Sequence, residues 1–180
     1  YIEGTKVLKN ISFKVESGQK VAFVGPTGAG KTTIVNLLAR FYDVDDGEIL
    51  IDNIDIKKYT RSSIRECFSV VLQDTHIFTG TVRDNIRYSK PDATEEEVRS
   101  AAMTANAHDF IMKLEKGYET NVNERGSRLS VGQRQLISFA RELLADPRIL
   151  ILDEATSNIE TQPERPVQHG INKLLHGRTS

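Results

Sequence analysis

The chain has 180 residues, enough for one domain with a hydrophobic core, and 38% of them are hydrophobic while 27% are charged. A formal net charge of −1 gives no electrostatic reason to expect nucleic acid or a membrane surface as a partner. The single Cys67 excludes an internal disulfide framework, and no apolar run approaches the roughly 20 residues of a membrane helix.

The first elements predict two strands, a glycine-rich loop and a helix. Alternating apolar residues over 11–15 are typical of a half-exposed strand, and the apolar run 20–24 is typical of a buried one. The segment 33–40 is predicted to be helical. The loop before this helix matches the phosphate-binding pattern G-x-x-x-x-G-K-[ST] at every fixed position. Its residues are Gly25, Pro26, Thr27, Gly28, Ala29, Gly30, Lys31 and Thr32.

This loop predicts a nucleotide site that includes Thr33. Glycines let backbone N–H groups turn towards phosphate oxygens, and the positive end of the following helix faces the same anion. Lys31 is suited to the terminal phosphates, and the hydroxyl of Thr32 is suited to Mg²⁺. The alternative is a glycine-rich turn with a solvated lysine, and the strand–loop–helix order argues against it.

The next elements continue an α/β pattern. A turn at 45–47 precedes a predicted strand over 48–52, and a short helix is predicted over 61–65. The apolar run 68–72 is predicted to be a strand that ends at Gln73. The amide of Gln73 is therefore a candidate for contact with the metal and with an attacking water, although glutamine is also an ordinary loop residue.

Helical signals then dominate over 81–145. Helices are predicted over 94–105, over 109–114 and from Ser130 onward, and the first and third begin with capping boxes. Apolar residues follow a 3.6-residue period in the third helix. We interpret this block as a helical insertion in an α/β nucleotide-binding core.

A second chemical site is predicted where the apolar run 148–152 ends in Asp153 and Glu154. A carboxylate at the C-terminal end of a buried parallel strand faces the crevice in which such sheets bind ligands. Asp153 is suited to hold magnesium through water, and Glu154 to polarise an attacking water. The alternative is that these two acids only form a solvated strand end. The phosphate-binding loop in the same chain argues against this alternative.

These residues resemble the ATP-binding cassette domain of ABC transporters of the exporter type, along essentially the whole chain. The segment 129–135 resembles the family signature, usually L-S-G-G-Q, and 71–74 resembles the Q-loop. The segment 157–160 occupies the D-loop position, and 123–126 resembles the exporter X-loop. Tyr1 stands where the family has the aromatic residue that stacks on adenine.

The resemblance implies a P-loop NTPase core with a mostly parallel sheet, an N-terminal antiparallel β part and an inserted α-helical subdomain. Residues 1–180 would form a single ABC ATPase domain. Its nucleotide-binding core would comprise 1–73 and 146–180, and its helical signature subdomain 74–145.

The resemblance also implies the cofactors ATP and Mg²⁺ and a partner cassette, in a homodimer or a heterodimer. Each ATP would lie between the phosphate-binding loop of one cassette and the signature helix of the other. Ser130, Gly132 and Gln133 would face the partner's nucleotide, because a capped helix end still presents amides that bind anions. A capping box that is only structural is the alternative interpretation of Ser130 and Gln133.

In this family the catalytic residues would be Glu154, as general base, and Gln73, which senses the terminal phosphate. The metal would be held by Thr32, Gln73 and Asp153. Tyr1 would bind the adenine.

The resemblance implies a place on the cytoplasmic face of the cell membrane, attached through a transmembrane domain that this chain does not contain. The family's switch histidine lies on a strand after a segment like 176–180, between the strands predicted at 20–24 and 148–152. We therefore expect these residues to be part of a longer polypeptide, incomplete at the C-terminus.

Three residues depart from the family pattern, and one of them is Asn123, which replaces the usual X-loop glycine. Val131 replaces the first glycine of the signature, where it adds bulk and a stiff side chain, and Glu160 replaces the usual D-loop aspartate. They leave open a catalytically weak half of a heterodimeric transporter. A soluble cassette ATPase of DNA repair or translation is disfavoured by the near-neutral charge and the exporter-like X-loop.

Overall fold

The computed structural model describes residues 7–72, 75–123, 126–153 and 165–180. Short strands precede a helical block, and a strand and a helix follow it. The helices are α1 (Lys31–Leu38), α2 (Arg61–Cys67), α3 (Val82–Arg87), α4 (Glu95–Thr104), α5 (His108–Ile111), α6 (Val131–Ala145) and α7 (Arg165–Leu175). The strands are β1 (Leu50–Ile51), β2 (Ile54–Asp55), β3 (Phe68–Leu72) and β4 (Ile149–Asp153). Among these helices, none combines the length and the apolar character that crossing a membrane requires.

A parallel pair of strands, β3 and β4, confirms the strands that were predicted for the apolar runs 68–72 and 148–152. Phe68 lies opposite Ile149 at one end, and Leu72 lies opposite Asp153 at the other. The two strands therefore end together at one edge of the sheet. In parallel α/β sheets this carboxyl edge is where ligands bind.

The other side of β4 is extended by Thr179 and Ser180. Thr179 forms a parallel bridge with Ile149, and its carbonyl accepts a 2.9 Å hydrogen bond from the amide of Leu150. Ser180 in turn donates to the carbonyl of Gln19 at 3.0 Å and accepts from the amide of Val21 at 2.7 Å. These two residues thus lie between β4 and the segment before the glycine loop, where the family resemblance expects a strand.

The strands predicted over 11–15 and 20–24 are not formed, and this prediction was wrong. Within residues 7–30 no strand is present, and the side chain of Val24 is 94% exposed. An alternating apolar pattern forms a strand only beside a partner backbone. Here the ladder bonds described at this segment are those of Ser180 with residues 19 and 21.

The strand predicted over 48–52 is one half of a short hairpin. β1 and β2 pair antiparallel, with Leu50 opposite Asp55. Asp52 and Asn53 connect them with φ angles of 51° and 63°. Two consecutive left-handed residues match the tight turn that suits the twist of a hairpin, and the sequence analysis missed the second strand.

The core lies around α6, which packs against α3, α4, α7 and β3. The predicted helical periodicity of α6 is confirmed, because its apolar face is buried. The buried residues on and around this helix include Val82, Ile86, Val98, Ala102, Leu136, Ile137, Phe139, Ala140, Leu150 and Leu174. The mixed architecture agrees with the predicted α/β fold class, whereas the boundaries of the proposed subdomains stay a prediction.

A buried arginine ties α6 to the segment before and within α3. Arg141 donates from Nε to the carbonyl of Asn85 at 2.8 Å and from Nη1 to that of His76 at 3.0 Å. Its guanidinium also lies 5.0 Å from the centre of the Phe78 ring. Burial lowers the pKa of Arg141, and the hydrogen bonds satisfy a charge that would otherwise be costly to bury.

The neighbouring Glu142 ties α6 to β3, because its carboxyl group accepts a hydrogen bond from the hydroxyl of Ser69. Burial raises the pKa of Glu142 to about 7, against the opposing influence of the Arg141 charge. A carboxyl group whose pKa is raised on folding holds its proton more tightly in the folded state. Its contribution to stability is complete below the unfolded pKa and is lost as pH rises through the folded one.

We therefore expect the stability of the wild type relative to a Glu142→Gln variant to fall as pH rises from about 5 to about 8. Glutamine keeps the shape of the side chain but does not titrate. Thermal unfolding followed across this pH range measures the difference. A difference in stability between the two proteins that stays constant with pH would contradict a titrating Glu142.

Candidate functional site

The glycine-rich loop over residues 25–30 leads directly into α1. Gly30 is the N-cap of this helix, and no side chain caps its first turn. Among the helix starts that the structure describes, those of α2, α3, α4 and α6 are capped by the side chains of Thr60, Thr81, Thr94 and Ser130, whereas the short α5 also lacks a side-chain cap. An uncapped helix start keeps amide donors and the positive end of the helix dipole for an external anion.

Gly30 is favoured here by its backbone conformation. Its φ of 92° lies in the left-handed region, and a Cβ at this position would lie 2.6 Å from Cδ2 of Leu8. Any side chain would push Leu8 away or distort the loop. The left-handed backbone therefore explains why the loop ends in glycine immediately before the helix.

Lys31 lies over the loop that precedes it. Its Nζ donates to the carbonyl of Gly25 at 2.6 Å and to that of Pro26 at 3.0 Å. These acceptors are neutral, and an ammonium group forms stronger hydrogen bonds with phosphate oxygens than with carbonyl groups. The predicted phosphate-binding lysine is therefore held within reach of the cradle, and Thr32 and Thr33 follow it in the first turn of α1.

The predicted signature segment forms the start of α6, and its capping box is confirmed. The hydroxyl of Ser130 accepts from the amide of Gln133 at 3.2 Å, and Gln133 Oε1 accepts from the amide of Ser130 at 2.9 Å. The box uses these two amides, so those of Val131 and Gly132 face the end of the helix. The start of this 15-residue helix thus presents the amides of Val131 and Gly132 as donors.

Val131, the departure from the family signature, leaves this cap intact. It is the first residue of α6, and its side chain is 63% exposed. Its bulk therefore projects outward from the helix end instead of into the core.

At the carboxyl edge of the β3–β4 pair, some of the predicted site residues lie within the described part of the chain and others do not. Asp153 is the last residue of β4 and lies opposite Leu72, the last residue of β3. The predicted catalytic residues Gln73 and Glu154 come next in the chain, and they lie outside the described residues, as do Tyr1 and the D-loop segment 157–160. Their roles stay predictions.

One residue within the signature segment 129–135 was given no role by the sequence pattern. Arg134 donates from Nη1 to the carbonyl of Leu129 at 2.7 Å, across the turn that leads into Ser130. A signal was present, because an arginine four residues after a helix N-cap is on the correct side to reach back over the helix start.

The comparisons with known proteins agree with this geometry. The family model described as ABC transporter matches residues 8–157. The Bacillus subtilis protein "Uncharacterized ABC transporter ATP-binding protein YfiC" is 57% identical over all 180 residues. The ATP-dependent lipid A-core flippase of Syntrophus aciditrophicus is 49% identical over 99% of the chain. The chain spans 30% of the length of each of these relatives.

A solved structure gives the same result in three dimensions. The chain superposes on a bacterial Atm1-family ABC exporter with ATP bound, with a TM-score of 0.88 and 42% identity, over 99% of this chain and 31% of that one. A sequence identity of 42% indicates membership of the same family as well as a shared fold. Since the family model also covers most of the chain, the protein belongs to the ABC transporter family, as an ATP-binding domain with the P-loop NTPase fold.

Proposed function

We propose that this domain binds and hydrolyses ATP to drive the export of a substrate across a membrane. The observation that carries the proposal is the uncapped start of α1 with Lys31 folded over the loop before it. A triphosphate supplies the anion that these donors lack. One relative is named as an ATP-dependent flippase and another as a putative multidrug export ATP-binding/permease protein, and both names support the same activity.

The residues of the loop fit a nucleotide. Gly28 has a φ of 83°, and within the described residues no atom beyond its own chain neighbours lies within 4 Å of where its Cβ would be. The backbone is therefore open to a phosphate at that point. The loop from Gly25 to Gly30, together with Lys31 and Thr33, would hold the phosphates, and Tyr1 would stack on the adenine.

Mg²⁺ would be held by the hydroxyl of Thr32, the amide of Gln73 and the carboxylate of Asp153, where it would screen the charge of the phosphates. Glu154 would accept the proton of the attacking water, and Gln73 would orient that water. The register of β3 and β4 supports this arrangement, since Gln73 and Glu154 directly follow two paired strand ends.

A second copy of the cassette, identical or related, would complete each nucleotide site. The hydroxyl of Ser130 and the amides of Val131 and Gly132 would bind the terminal phosphate held by the partner's loop, and Gln133 would maintain the cap. ATP would close the pair and hydrolysis would release it, which gives a two-state element for coupling to a transmembrane domain. The domain would then lie on the cytoplasmic face of the membrane.

A catalytically weak half of a heterodimer is the second candidate. The exposed side chain of Val131 favours it, because this side chain projects at the helix end that would meet the partner's nucleotide. In that case ATP would bind and close the pair, and the site completed by this signature helix would turn over slowly.

The test is steady-state release of phosphate from Mg·ATP by the natural full-length polypeptide in lipid vesicles. We expect saturable release that requires Mg²⁺, coupled to movement of a substrate across the vesicle membrane. Binding of ATP without release would favour the second candidate, and absence of ATP binding would contradict both.

A further inference from the structure

The start of the signature helix is supported from behind by a side chain that the proposed chemistry does not use. Arg134 is half-buried at the fourth helical position of α6, and its Nη1 donates to the carbonyl of Leu129 at 2.7 Å. Leu129 is the residue before the N-cap Ser130, and only 5% of it is exposed. One guanidinium thus links the first turn of the helix to the chain that enters it.

The loop before the helix is shaped around this arginine. Gly126 has a φ of 64°, and a Cβ on it would lie 3.1 Å from Cδ of Arg134 and 3.2 Å from Cγ2 of Ile77. The backbone of Gly126 therefore packs between the arginine stem and a buried residue of the segment that follows the Q-loop. The carbonyl of Gly126 accepts from the amide of Leu129 at 2.9 Å, which closes the turn.

The electrostatics of this position oppose a purely structural role. A cation in the first turns of a helix interacts unfavourably with the positive end of the helix dipole. In the described ranges no carboxylate forms an ion pair with Arg134, and its recorded hydrogen bond goes to a neutral carbonyl. An anion bound at the helix end would turn this unfavourable placement into a favourable one.

We propose that Arg134 is a positioning residue for the nucleotide held by the partner cassette. By fixing the carbonyl of Leu129, it fixes the direction in which the chain enters Ser130. The hydroxyl of Ser130 and the amides of the next two residues then keep their aim at the terminal phosphate. This inference rests on the proposed function, because it assumes that the signature helix of one cassette meets the ATP of the other.

The test compares Arg134→Met, which keeps the stem that packs on Gly126, with Arg134→Lys, which keeps a charged donor. Arg128→Met is the matched control, because it removes one positive charge from an exposed side chain at the same end of α6. Each is made in the natural full-length polypeptide. The readouts are kcat and KM for phosphate release, the Kd for Mg·ATP and the unfolding temperature.

We expect Arg134→Met to lower kcat by roughly 10- to 100-fold relative to Arg128→Met, because small misplacements of binding groups are that costly. The Kd for Mg·ATP and the unfolding temperature should stay close to wild type, because each chain's own phosphate-binding loop is untouched. Arg134→Lys should recover most of the rate. Arg134→Gln replaces the methionine variant in this comparison if that variant does not fold.

Equal kcat values for Arg134→Met and Arg128→Met would overturn the inference while leaving the proposed function standing. If both Arg134→Met and Arg134→Lys lose rate and also unfold at lower temperatures, the role of Arg134 is structural, and the inference is overturned as well. A wild type that binds no Mg·ATP would instead remove the proposed function, and this inference with it.

Discussion

Replacing Glu154 by glutamine is expected to lower steady-state phosphate release by roughly 10²- to 10⁴-fold, the contribution of a positioned general base. Glutamine keeps the size of the side chain and still binds water, but it cannot accept the proton of the attacking water. Binding of Mg·ATP should persist, because the phosphate-binding loop and the metal ligands are unchanged. Phosphate release at saturating ATP, measured with the Kd for Mg·ATP, separates the two effects.

The control for this variant is Glu48→Gln, which removes an exposed carboxylate. Glu48 lies in the chain after the phosphate-binding loop and before Asp153. Its rate should equal that of the wild type. A Glu154→Gln protein that hydrolyses ATP as fast as the wild type would remove Glu154 from the mechanism. Equal rates that are both no faster than that of the Lys31→Ala protein would instead favour the catalytically weak half of a heterodimer.

Lys31→Ala is expected to weaken binding of Mg·ATP at least about tenfold, since a hydrogen bond to a charged group contributes roughly 1.5–3 kcal/mol. Hydrolysis should fall further, by about 10²- to 10³-fold, because the lysine charge also stabilises the transition state. The ammonium group of Lys31 is bonded to the carbonyl groups of Gly25 and Pro26 in its own loop. Calorimetric titration with Mg·ATP and an assay of phosphate release measure the two losses.

Lys20→Ala is the matched control, because Lys20 is exposed and precedes the same loop. Its affinity for Mg·ATP should equal that of the wild type. The unfolding temperature of Lys31→Ala without nucleotide should also be unchanged, which separates lost binding from lost folding. Equal affinities for the Lys31 and Lys20 variants would contradict the role of Lys31.

The sequence predicts best those features that are determined by neighbouring residues. The capping boxes at Thr94 and Ser130 each need only a hydroxyl and a partner three residues later, and both are present. The helices that follow them begin within one residue of the prediction. The same locality explains why the phosphate-binding loop was recognised, because its glycines and its lysine are contiguous.

The sequence predicts poorly those features that depend on distant partners. Residues 20–24 are apolar enough for a buried strand, but their ladder bonds depend on Ser180, far away in the chain. The second strand of the hairpin was missed for a related reason: β2 has only two residues and therefore too few for a pattern. The contact between Leu8 and Gly30 is equally invisible in the sequence.

In the candidate site, too, some features are set by neighbouring residues and others depend on distant partners. The donors at Ser130 follow from the capping pattern, whereas the support that Arg134 gives them depends on how the turn before the helix folds back. Likewise, the pKa of Glu142 depends on burial against β3, which no local pattern reports. Local chemistry therefore identifies the nucleotide-facing groups, and long-range packing determines how firmly they are held.

The central claim is that a triphosphate binds in the amide-lined loop around Lys31. A structure of the natural full-length polypeptide with a non-hydrolysable Mg·ATP analogue tests it most directly. We predict phosphate oxygens within hydrogen-bond distance of the amides over 28–32, with Lys31 Nζ moved from the carbonyls of Gly25 and Pro26 onto those oxygens. An analogue bound elsewhere, with Lys31 still on both carbonyl groups and the loop empty, would contradict the claim.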